Sequence, residues 1–169
     1  MPKEEQGIPW DRYQIIPRTL IFIKRKDQVL LLKGAPTKRL WANRYNGIGG
    51  HVERGEDPLS SARRELLEET GIITTKLWLC GVVVVDVEEK AGIGIYLFCG
   101  EYEGGEIVHS SEGALEWIPT TKITQYPLVE DLYTVLPRVL AMQPQDVPLS
   151  ILYSYGEDKR MIVTIANYG

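Results

Sequence analysis

Cysteine is nearly absent from this chain: Cys80 and Cys99 are the two it has in 169 residues. Each sits in an apolar, strand-like run. Two isolated cysteines give neither a disulfide framework nor metal-ligand spacing, so both read as buried, reduced thiols. Histidine is equally scarce, with two residues. His51 follows a glycine beside a turn, where it either grazes an anion or serves the local structure; His109 has no partner recognisable from the sequence. No apolar run approaches the roughly 18 residues that cross a bilayer, and Leu77 to Val85 reads instead as a buried strand. The opening MPKEEQG lacks the apolar core of a secretory signal. A positive balance is missing too, since the formal net charge is −4, which argues against general nucleic-acid binding. Internal repeats and low-complexity segments are not found. The expectation is a cytoplasmic protein with no membrane partner and no DNA-binding segment.

What remains is a chain of one domain's length, residues 1–169, with 44% hydrophobic and 25% charged residues, ordinary for a globular protein. Its charge is uneven. From Lys24 to Arg64 there are ten Lys or Arg against four Asp or Glu, whereas Glu88 to Glu116 holds seven Glu and one Lys. The basic stretch suits an anionic substrate; the alternative is a set of solvated charges pointing different ways. Strand-like runs cover Ile15 to Lys24 and Gln28 to Lys33, with a hairpin at Arg25-Lys26-Asp27. A Gly, Pro, Lys, Arg and Asn-rich loop, Gly34 to Asn46, follows. Further strands are expected at Leu77 to Val87, Gly92 to Tyr102 and Leu115 to Ile118. A helix is expected at Val129 to Met142, bent or split by Pro137. A terminal hairpin, about residues 149–167, turns at Gly156-Glu157-Asp158-Lys159. The pattern predicts an α/β (α+β) sandwich with a mixed sheet.

The segment Gly50 to Ile72, GHVERGEDPLSSARRELLEETGI, carries the chemistry. Asp57-Pro58 starts a helix, since Asp caps free amides and Pro is tolerated in the first turn, and Gly71 stops it. At about 100° per residue, Glu65, Glu68 and Glu69 fall within roughly a 100° arc of one face. Carboxylates that close repel one another. Either the face is solvated, with Arg63 and Arg64 as surface partners, or a cation sits there, and oxygen-only ligands select Mg²⁺ or Mn²⁺.

The wider spacing resembles the Nudix box at Gly50, Glu56, Arg64, Glu65, Leu66, Glu68, Glu69, Gly71 and Ile72. That resemblance implies a Nudix-type α/β/α sandwich and hydrolysis of a diphosphate bond in a nucleoside diphosphate derivative, with Mg²⁺ as the usual cofactor. It implies Glu68 and Glu69 as principal metal ligands, Glu65 as a further ligand or base, and the Gly50 carbonyl as one more donor. Arg64 would orient a catalytic Glu, and Glu56 would brace Arg64 through an ion pair. A divalent ion neutralises charge developing on phosphoryl oxygens, so such catalysis is mostly positioning and electrostatics.

Outside the box, Glu112 lies where many family members bring a Glu toward the metal; Glu116 competes, but its place in an alternating strand points it to solvent. Lys33, Arg39, Tyr45 and Asn46 are the candidate substrate contacts. Arg44 to Val52 resembles the MutT-like members that hydrolyse 8-oxo-dGTP, in which an Asn at the place of Asn46 contacts the base; the alternative is a plain Asn-Gly turn. Tyr45 and Trp41 are able to stack on a base, although core packing is the expected role of Trp41. The chain departs from the mammalian form of that subgroup. After Tyr126-Pro127 the acids Glu130 and Asp131 come two residues late, and the Trp is missing. Three functions are therefore weighed: a nucleoside triphosphate pyrophosphohydrolase, the same machinery on a nucleotide sugar, dinucleotide or RNA 5′ end, and a non-catalytic nucleotide sensor. Retention of Arg64 and all three helix Glu speaks against the last.

Overall fold

The computed structural model describes residues 2, 5–7, 9–37, 39–108 and 113–167. The fold opens on a hairpin of β1 (Gln14–Arg25) and β2 (Gln28–Gly34). Its two-residue turn places Lys26 in left-handed backbone at φ 53°, the conformation that matches tight turns to strand twist. The ladder between these strands is short, running from Ile23 opposite Leu30 to Arg25 opposite Gln28. Beyond it β2 peels away to pair with β3 (Tyr45–Asn46), while β1 bridges Ile48 and His51 instead. The other edge of β2 pairs with β6 (Gly113–Pro119). On its far side β1 runs parallel to β5 (Ala91–Glu101). Then follow β4 (Leu77–Val85), antiparallel to β5, β7 (Leu149–Tyr155), parallel to β4, and β8 (Met161–Ile165), antiparallel to β7. Among the described residues the result is one mixed, eight-stranded sheet.

Two α-helices among the described residues cover opposite faces. Side chains alternate along a strand, so Ile21 and Ile23 of β1 pack with Ala62 and Leu66 of α1 (Pro58–Thr70). Phe22, between them, packs with Val135, Leu136 and Val139 of α2 (Leu132–Ala141). Both cysteines are buried and free, as expected. No helix among the described residues is long and apolar enough to cross a membrane.

Three expectations need correction. The second helix begins at Leu132 rather than Val129, because Leu128 bridges Tyr45 and the Val129 amide donates to the Tyr45 carbonyl at 3.0 Å. Pro137 then falls within the helix, as its sixth residue, without ending it, although it removes the N–H that would have met the carbonyl of Tyr133. Trp41 is not a core residue: it is 48% exposed. Its φ of 59° and a turn closed by Arg44 N to Trp41 O at 3.0 Å swing the ring outward. Glu116 does not point to solvent, since it accepts a hydrogen bond from the Tyr45 hydroxyl at 2.8 Å. A short 3₁₀ segment, Thr120–Gln125, has no counterpart in the sequence reading.

Candidate active site

Helix α1 starts and stops as its residues dictate. The Asp57 carboxylate accepts from the amides of Leu59 and Ser60 at 2.9 and 3.0 Å. Gly71, at φ 74°, closes the last turn by donating to the Leu67 carbonyl at 2.8 Å. Ser61, Ala62, Leu66 and Thr70 form the buried stripe, which fixes the rotation of the helix and so aims the carboxylates. Arg64 ties them to the preceding loop. Its Nε and Nη2 donate to Oε1 and Oε2 of Glu56 at 2.7 and 2.9 Å, a two-point fork. Its Nη1 donates to Glu65 Oε1 at 2.8 Å and Glu68 Oε2 at 3.2 Å, and its Nη2 reaches the His51 carbonyl at 3.1 Å. The Arg64 guanidinium holds the Glu56 carboxyl down at about 2, and Glu56 and Glu65 push the guanidinium above its ordinary value.

Gly50 is a fitted part of this arrangement. A Cβ there would stand 2.5 Å from Glu65 Oε1 and 2.6 Å from Glu65 Cδ, so the carboxylate occupies the space a side chain would take. The Gly50 carbonyl accepts from the Thr19 amide at 2.9 Å, which anchors the loop to β1 and leaves a second lone pair. Gly50, Glu65 and Glu69 all line one cleft of about 1130 Å³. Their oxygen-only donor set and the glycine cradle fit a hard divalent cation. Glu68 is turned instead onto Arg64, with its side chain 59% exposed. Among the described residues, no three Asp, Glu, His or Cys side chains are grouped tightly enough to hold an ion by themselves. Glu112 and His109 lie outside the described residues.

Away from the box carboxylates, much of the cleft wall is apolar. Val85, Ile93 and Ile95 line it from β4 and β5, and Tyr153, Tyr155 and Met161 from the terminal hairpin. Asp131 also lines it at 9% exposure, accepting from the Tyr153 hydroxyl at 3.0 Å. Burial raises the Asp131 carboxyl above its ordinary value, and burial together with Asp131 raises Tyr153. Asn46 lines the cleft while its Oδ1 accepts from the Gly47 amide at 2.8 Å, so it is a turn residue as well as a cleft residue.

Lys33, Arg39 and Tyr45 are not among the residues lining this cleft. Tyr45 is 4% exposed and packs edge-on against Tyr126, with Lys33 Nζ 5.5 Å from its ring centre. That burial leaves no open face for a base, and with Glu116 it lifts the Tyr45 hydroxyl to about 12. Arg18, Tyr133, Tyr153, Tyr155 and Met161 also line the cleft, and no local motif in the sequence marks them. Glu130 and Asp131 stood out in the sequence only as acids in the wrong place.

Comparison with known proteins bears on the family and the fold. An oxidized purine nucleoside triphosphate hydrolase of Danio rerio is 32% identical over 106 residues, 62% of this chain and 67% of its own length. NAD-capped RNA hydrolase NudC of Pseudomonas syringae is 30% identical over 99 residues, 59% of this chain but 34% of its own length. The crystal structure of a MutT protein from Bacillus halodurans superposes with a TM-score of 0.76 at 25% identity, covering 89% of this chain and 97% of that one. Residues 15–139, from the first strand through most of the second helix, match the NUDIX domain, and the chain therefore belongs to the Nudix hydrolases, which act on pyrophosphate bonds.

Proposed function

We propose that this protein is a divalent-metal-dependent pyrophosphohydrolase that cleaves a nucleoside triphosphate to the monophosphate and pyrophosphate, with an oxidised purine nucleotide such as 8-oxo-dGTP as its preferred substrate. One observation carries the reading: a single cleft joins the oxygen donors of Gly50, Glu65 and Glu69 to an apolar compartment holding Asp131. Polyphosphate belongs with the first and a base with the second. Mg²⁺, or Mn²⁺, held by Glu65, Glu68, Glu69 and the Gly50 carbonyl supplies positive charge against the charge developing on the phosphoryl oxygens. Glu112 is proposed as a further ligand or catalytic group from its sequence position alone.

Arg64 orients Glu65 through the 2.8 Å hydrogen bond, and Glu56 keeps Arg64 in place. Glu65, pressed against Gly50, takes the proton of the attacking water. The water oxygen bonds to phosphorus, the anhydride P–O bond breaks, and pyrophosphate leaves with the electron pair. At the apolar end, Val85, Ile93 and Ile95 exclude water around the base. An 8-oxo-purine offers an N–H and a carbonyl where the ordinary purine offers a bare nitrogen and a C–H. The Asn46 amide is able to donate and accept there, and the Asp131 carboxyl, raised above its ordinary value by burial, lines the same space.

A substrate panel scored by kcat/KM tests the reading. It compares 8-oxo-dGTP and ordinary deoxynucleoside triphosphates with ADP-ribose, dinucleoside polyphosphates and NAD-capped RNA. The expected order puts 8-oxo-dGTP first, at least about tenfold above dGTP, with activity lost in EDTA and restored by Mg²⁺ or Mn²⁺. Highest efficiency on NAD-capped RNA or ADP-ribose would overturn the substrate, and full activity in EDTA would overturn the metal.

A further inference from the structure

Arg18 lines the cleft from β1, and its Nε is buried with no hydrogen-bond partner among the described residues. The other arginine of the cleft is committed: Arg44 donates to the Leu128 carbonyl at 3.1 Å. A buried N–H without an acceptor costs free energy, and native structures rarely leave one unless a ligand or water completes it. The place of Arg18 says what would complete it. It bridges His51, one residue past Gly50, and its neighbour Thr19 donates to the Gly50 carbonyl. Its partner on the other side of β1 is Ile95, which lines the apolar compartment. By strand alternation Arg18 shares its face with Leu20 and Phe22, away from Ile21 and α1. It thus stands where the carboxylate end of the cleft gives way to the base-sized apolar end.

We infer that Arg18 binds the phosphate of the substrate that carries the nucleoside, a contact made by the protein itself and independent of the metal. A group reaching from an apolar pocket to a cation held by α1 must lead its first phosphate past this residue. A guanidinium suits the role because its fork matches phosphate oxygens and it stays charged under all working conditions. The contact also keeps the nucleoside in register after the anhydride bond breaks, since the product monophosphate retains that phosphate.

This inference rests on the reading of the cleft as a nucleotide site, and the test separates the two. Calorimetric titrations in EDTA compare 8-oxo-dGMP and dGMP with 8-oxo-deoxyguanosine and deoxyguanosine, using wild type, Arg18→Gln and Arg18→Lys. The wild type is expected to bind at least one monophosphate more tightly than its nucleoside. Arg18→Gln should then lose about 10- to 100-fold in monophosphate affinity, the range of a charge-assisted contact. Its nucleoside affinity should stay unchanged, which also reports that the pocket is folded. Arg18→Lys should recover part of the loss, and added salt should weaken the wild type more steeply than Arg18→Gln. Monophosphate binding by Arg18→Gln within twofold of wild type overturns the inference, as does an equal loss of nucleoside binding. Failure of the wild type to bind any of the four ligands overturns the nucleotide reading itself.

Discussion

The two ends of the cleft are built in opposite ways. The carboxylate end comes from one short stretch: Glu56, Arg64, Glu65 and Glu68 meet within a loop and a single helix, and each ion pair joins residues at most eight apart. The apolar end draws Val85, Ile93, Asp131 and Tyr153 from four separate segments. Val85 meets Ile93 across the antiparallel β4–β5 ladder, Tyr153 joins them because β7 runs parallel to β4, and Asp131 arrives at the start of α2. Charge differs as sharply as connectivity. At one end acids are drawn to a guanidinium and partly wetted; at the other Asp131 is buried against a tyrosine hydroxyl. Chemistry that is common to a family suits the first construction, and selection among substrates suits the second, where any one wall can change without disturbing the rest.

Substitutions should separate these ends. The largest effect is expected at α1. Glu69→Gln and Glu68→Gln should each lower kcat by about 10²- to 10⁴-fold while the melting temperature moves by only a few degrees; near wild-type turnover in either variant would sink the ligand assignment. Asp131→Asn should leave the Mg²⁺ dependence intact and alter the preference for oxidised over ordinary purine triphosphate by about 10- to 100-fold, the value of one buried polar contact. An unchanged preference would remove Asp131 from base reading. Asn46→Ala should shift the same preference less, because Oδ1 is already engaged by Gly47; if the ranking of bases does not move, Asn46 serves only the turn.

The smallest effect is one of sign. Glu56 is held at about 2 against an ordinary 4.5, so its pairing stabilises the fold above 4.5 and is lost as pH falls toward 2. Asp131 is raised from 3.8, so its burial costs nothing while it is protonated and begins to destabilise as pH rises past 3.8. Glu56→Gln should therefore melt below wild type at neutral pH and converge with it in acid. Asp131→Asn should melt above wild type at neutral pH and likewise converge in acid. Parallel shifts of the same sign would mean the two ends are not electrostatically distinct.

Much of this was legible in the sequence, for physical reasons. The box helix runs from Pro58 to Thr70 as its caps require, and the Glu56–Arg64 pair follows from loop-to-helix proximity. The hairpins and central strands follow from apolar runs between turn residues. What was not legible depends on distant partners. Tyr45 looked like an open aromatic beside Asn46, but its pairing with β2 and its contact to Tyr126 turn it inward. Trp41 looked like core and is turned out by its backbone. Asp131 appeared misplaced when counted from Tyr126-Pro127, yet the bridge between Leu128 and Tyr45 delays the helix and delivers Asp131 to the cleft. Arg18 carries no local motif at all.

The hairpin of β7 and β8 lies beyond residues 15–139, the span that matches the family, yet it supplies Tyr153, Tyr155 and Met161 to the cleft wall. Helix α1 and this part of the cleft wall can therefore change independently. On the proposed reading, exchanging those few residues would resize the space for the base and leave the anhydride chemistry untouched, so a new substrate preference is reachable by altering an appendage rather than rebuilding an enzyme.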